Sequence, residues 1–60
     1  MEMKLIEDKN PYILIVDDVM KNLQVLGTIL EEQGYDIAVA NNGFEALEIV
    51  KVDIPDLILL

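Results

Sequence analysis

Tyr12-Ile13-Leu14-Ile15-Val16 is an unbroken apolar run, and its continuity narrows the fold more than any other feature of the chain. A strand with one wet face alternates apolar and polar residues, whereas a continuous run is buried on both faces, as in parallel sheets covered by helices on either side. The turn-like Asp8-Lys9-Asn10-Pro11 leads into this run, and the acidic pair Asp17-Asp18 follows it at once. A second run of the same kind, Leu57-Ile58-Leu59-Leu60, comes after Asp53-Ile54-Pro55-Asp56. That connector cannot continue a helix, because Pro55 restricts the residue before it.

Between the two runs the apolar period changes. Met20, Leu23, Leu26 and Leu30 recur at helical spacing, Val19, Val25 and Ile29 widen the stripe, and Gly34 stands where a left-handed C-terminal cap is wanted. The pattern predicts a helix over about 19–33, with Met20 packed in the core at its start. Residues 35–40 alternate, with Ile37 and Val39 on one side and Ala38 and Ala40 on the other, which suits an edge strand approached closely by a helix. Asn41-Asn42-Gly43 breaks that strand. Asn42 can cap a second helix, with Glu45 reaching back to the Asn42 amide in a capping box. This helix is expected to end near Val50 or Lys51 and to bury Ala46, Leu47 and Val50.

The resulting order is β-α-β-α-β, which implies a parallel sheet. Right-handed crossovers that reverse direction across the sheet place the helices on opposite faces and the first strand in the middle, in strand order 2-1-3. Ligands of such sheets bind beyond the carboxyl ends of the strands, where the winding reverses. Here that crevice lies between the first and third strands. Asp17 and Asp18 form one wall of it, and the residue just past Leu60 would form the other.

Sixty residues make at most one small domain, which buries too little apolar surface to be comfortably stable without a metal, disulfides or a partner. With no cysteine, disulfides are excluded. A hydrophobic content of 53% with 5% aromatic residues describes an aliphatic core and not a disordered tail. Twelve acidic and four basic residues give a net charge of −8, which opposes nucleic acid and anionic membrane surfaces and favours cations or basic partners. No run approaches membrane-spanning length, and the first ten residues lack the apolar stretch of a signal peptide, so a cytoplasmic location is expected.

Taken together, Ile13-Leu14-Ile15-Val16-Asp17-Asp18, Asn22-Leu23-Gln24-Val25-Leu26, Gly34-Tyr35, Ala40, Gly43-Phe44-Glu45-Ala46-Leu47 and Pro55-Asp56-Leu57-Ile58-Leu59-Leu60 resemble the first half of a two-component response-regulator receiver domain. Any one of these pieces is common; their order and spacing are specific. The resemblance implies a flavodoxin-like (CheY-like) α/β fold, here a partial β-α-β-α-β over residues 12–60 after a lead-in over residues 1–11. It implies a histidine kinase or phosphotransfer protein as partner and a phosphoacceptor aspartate directly after Leu60. It also implies, for the complete domain, Mg²⁺ bound by Asp18 directly and by Asp17 mainly through water, with weak or absent binding expected in these sixty residues alone. The family's catalytic lysine is not matched by Lys51, which lies too near the end of the second helix, nor by Lys4 or Lys9, which precede the fold. On this reading the sixty residues hold no catalytic residue and do not themselves undergo phosphotransfer.

Three functions are compatible with the topology. The chain can be the signalling domain just described, in which case it is a phosphoacceptor rather than an enzyme. It can be a self-associating structural module, a two-fold dimer formed across the apolar third strand. A dinucleotide enzyme would need a glycine-rich turn after the first strand, and residues 16–22 contain no glycine. For Asp17 and Asp18 the plainer alternative is a pair of solvated carboxylates favoured by a helix N-terminus. Asn22, Gln24, Glu31 and Glu32 read as solvent-facing helix residues, and Asp56 as a turn cap ahead of the third strand.

Overall fold

A computed structural model describes residues 10–60. Most of the expected lead-in over residues 1–11, with Lys4 and Lys9, lies outside the described residues. The elements follow the expected order: β1 (Tyr12–Val16), α1 (Met20–Glu32), β2 (Asp36–Ala40), α2 (Gly43–Val52) and β3 (Leu57–Leu59). The three strands form one parallel sheet in the order β2-β1-β3.

Register follows from the central run. Ile13, Leu14 and Ile15 pair with Ile37, Ala38 and Val39 on one side and with Leu57, Ile58 and Leu59 on the other. Both faces of β1 are covered, which is why Leu14, at 0% exposure, and its neighbours Ile13 and Ile15 are buried despite pointing in opposite directions. Alternation also separates the helices. A Cβ placed on Gly27 of α1 would lie 3.9 Å from Ile37, on one face, while Ile49 and Val52 of α2 share a cleft with Ala38, on the other. Leu23 of α1 joins Ile13 and Ile15 in the core, with Leu30, Tyr35, Ile37 and Leu59 packed against them.

The turns use the chemistry expected of them. Gly34 ends α1 at a φ of +96°, a conformation a side chain disfavours. Asn42 caps α2 by accepting the Glu45 amide at 2.9 Å, and Glu45 in return accepts the amide of Asn41, not that of Asn42, at 2.7 Å. The box is therefore shifted by one residue on its return bond.

Two expected core residues are on the surface. Leu47 is 63% exposed, and Ala46 and Val50 are only half-buried: α2 turns Ala46, Ile49 and Val50 toward the sheet, and Leu47 lies about 100° round the helix from Ala46. Met20 is 55% exposed, because the first turn of α1 stands beside the loop beyond the strand tip rather than over the sheet. Val19, Val25, Leu26 and Ile29 are also exposed, so the buried stripe of α1 is narrower than its apolar stripe. Both helices lie mainly over β1 and β2.

Candidate metal centre

Val16 ends β1 in the middle of the sheet. Carrying the register one step beyond Ile15 and Leu59 sets Val16 level with Leu60, so Asp17 and Asp18 leave the central strand just where β3 also reaches its tip. The Asp17 amide donates to the Ala40 carbonyl at 3.1 Å, extending the β1–β2 ladder by one bond. The backbone of the first acid is thereby fastened to the sheet.

Its side chain is fastened as well. Oδ1 of Asp17 accepts the Val19 amide at 2.9 Å, and Oδ2 accepts Nδ2 of Asn22 at 3.1 Å. Val19, at the head of α1, has extended backbone angles and no side-chain oxygen to cap the helix; the Asp17 carboxylate accepts the amide of Val19 itself, an Asx-type turn that leads into the helix. The bond from the Val19 amide, and after it the bond from Asn22, hold the Asp17 carboxyl below the usual aspartate range. Asp18 is the more exposed of the two.

The sequence places Asn22 among the solvent-facing residues of the first helix. It is exposed, yet its amide reaches back along the first turn to Asp17. A polar amide five positions after an acid at a helix start is the signal that could have indicated it.

The donor set of the pair is all carboxylate oxygen, the type Mg²⁺ prefers, and Mg²⁺ sites commonly combine one or two carboxylates with water and phosphate oxygens. Among the described residues one donor reaches each Asp17 oxygen, and a carboxylate oxygen can accept two bonds. The residues present therefore fit the ion in kind. Among the described residues no group of three or more acids, histidines or cysteines gathers to hold a metal, so the pair supplies two protein ligands at most.

Other candidate chemistry lies elsewhere. Asp56 is at the opposite end of the strands, where its carboxylate accepts the Tyr12 amide at 2.7 Å, in keeping with the turn role read from sequence. Lys51 pairs on the surface with Glu48 at 3.1 Å. A cleft of about 410 Å³ lined by Tyr12, Ala38, Glu48, Ile49, Val52 and Asp53 also opens near the beginning of β1. The acidic pair lies at the other end, on an open strand tip.

The family model for the response regulator receiver domain matches residues 13–60. The chain belongs to the response regulator receiver domain family, and the dinucleotide-enzyme reading is set aside. Among curated relatives, the transcriptional regulatory protein ZraR of Klebsiella oxytoca is 45% identical over 47 residues, covering 78% of this chain and 11% of that protein. The hybrid signal transduction histidine kinase B of Dictyostelium discoideum is 42% identical over 53 residues, covering 88% of this chain and 3% of that protein. Sporulation initiation phosphotransferase F of Bacillus subtilis is 43% identical over 51 residues, 85% of this chain and 41% of that protein. The chain thus spans less than half the length of each of these relatives. No solved structure matches it. No helix among the described residues is long and apolar enough to cross a membrane.

Proposed function

We propose that these sixty residues are the magnesium-holding half of a phosphoacceptor domain, which receives a phosphoryl group from a histidine kinase or phosphotransfer protein on an aspartate that follows Leu60. The observation that carries this reading is the register: Asp17 and Asp18 leave the central strand level with the tip of β3, so a carboxylate one residue beyond Leu60 would face them across the crevice. Mg²⁺, when bound, supplies positive charge to the oxygens of the transferring phosphoryl group.

The roles divide by exposure. Asp18, the more exposed, would offer its carboxylate directly to the ion. Asp17, with both oxygens already accepting protein donors, would act through water. Neither Asp53 nor Asp56 can replace the nucleophile, because both belong to the connector that enters β3 at its far end. The domain acts as a phosphate acceptor in signalling and does not turn over a substrate.

The sixty residues alone are accordingly expected to take up no phosphate. Incubation with acetyl phosphate and Mg²⁺, followed by intact mass, tests this: an unchanged mass is expected, and a stable aspartyl phosphate on any of the residues 1–60 would contradict the assignment.

A second property is supported by the exposure of β3, where Leu57 is 51% and Ile58 45% accessible. An edge strand with apolar side chains and free backbone groups is a template for pairing. In isolation the sixty residues self-associate, most simply as a two-fold dimer.

A further inference from the structure

We infer that Asn22 is a positioning residue for the acidic pair, its side-chain amide fixing the plane of the Asp17 carboxylate from the first turn of α1. The inference rests on the reading of Asp17 and Asp18 as a magnesium site. A carboxylate held by one hydrogen bond can still rotate about its terminal torsion, which is broad and soft. Two donors from different directions, the Val19 amide at 2.9 Å on Oδ1 and Asn22 Nδ2 at 3.1 Å on Oδ2, remove that freedom. The remaining lone pair of each oxygen then has a set direction.

Packing does not ask for asparagine here. The side chain is exposed, and in a helix asparagine is a poorer choice than alanine, lysine or glutamine. Its one polar contact to another described side chain is the bond to Asp17. The donor is also neutral. A lysine or arginine at the same place would neutralise Asp17 and compete with a cation, whereas an amide orients the carboxylate and leaves its charge available. In keeping with this, among the described residues no ion pair engages Asp17 or Asp18, although Lys21 is adjacent to Asn22. Partners of metal ligands that act in this way commonly alter metal affinity by 10- to 100-fold when removed.

The test compares the wild-type chain with Asn22→Ala and Asn22→Gln, each titrated with MgCl₂ and followed by amide resonances of residues 17–19, with far-UV circular dichroism as a check of fold. Asn22→Ala should weaken Mg²⁺ binding on the order of tenfold with helix content unchanged. It should also move the Val19 amide proton, which reports the orientation of Asp17 directly. Asn22→Gln, which keeps an amide donor on a longer arm, should recover part of the affinity. Unchanged affinity and an unmoved Val19 resonance in Asn22→Ala overturn the inference while leaving the metal site standing. A wild-type chain whose residues 17–19 do not respond to Mg²⁺ overturns the site itself, and the inference with it.

Discussion

Tyr12 and Asp56 exchange two hydrogen bonds: the Asp56 amide donates to the Tyr12 carbonyl at 2.7 Å, and the Asp56 carboxylate accepts the Tyr12 amide at 2.7 Å. The connector before β3 is therefore tied to the beginning of β1, and this tie starts the register that brings the far ends of the two strands level. Asp56→Ala should cost about 1 kcal/mol and should raise hydrogen exchange at the Tyr12 amide. Urea denaturation and exchange measured together check it, and a loss of stability without faster exchange at Tyr12 would place the effect elsewhere.

Leu14, in the central strand, is fully buried. Leu14→Ala should destabilise by about 2–5 kcal/mol, enough to unfold much of a domain this small. Leu47→Ala, at a surface position, should change stability by roughly 0.5 kcal/mol or less. The contrast in denaturation midpoints is the readout, and similar losses for the two leucines would contradict the packing described.

Gly34 adopts a left-handed conformation at the end of α1. No atom lies within 4 Å of an added Cβ, so the penalty for Gly34→Ala is one of backbone conformation, about 1–2 kcal/mol. Gly34→Asn should cost less, because asparagine visits this region more readily. Thermal melts of the two variants should rank in that order.

Asp17 contributes a pH dependence of known sign. Its folded carboxyl lies below the ordinary range because the Val19 amide, and then Asn22, donate to the charged form. The stabilisation is therefore fully present above the unfolded value, near pH 4, and is lost as the pH falls from there through the lowered folded value. In EDTA, the stability difference between wild type and Asp17→Ala should favour wild type at pH 6 and shrink by pH 3. A difference that grows on acidification would reverse the assignment.

Much of this arrangement is legible in the sequence, for local reasons. The unbroken run at 12–16 marks a doubly covered central strand, and Gly34 and Asn42 carry turn chemistry that needs no tertiary partner. Leu47 and Met20 were misread because periodicity says which residues share a face, not whether anything lies over it. Met20 stands beyond the strand tip, and Leu47 flanks the arc that α2 turns to the sheet. The acidic pair is visible in sequence, but the bond from Asn22 depends on how the first turn of α1 leaves the loop, which only coordinates reveal.

The exposed face of β3 has a measurable consequence. Light scattering across a concentration series should show the mean mass of the sixty-residue chain rising above the monomer value, and Ile58→Lys should suppress the rise. A folded monomer throughout the series would remove self-association from the account.

The most direct test of the central claim is a Mg²⁺ titration of the wild-type chain beside Asp18→Asn, followed by backbone amide resonances. The account predicts weak shifts at residues 17–19 and at the tip of β3 near Leu59 and Leu60 in wild type at high Mg²⁺ concentration, further weakened in Asp18→Asn. Shifts that are absent, that survive the substitution, or that centre on Asp53 and Asp56 at the other end of the sheet would contradict it.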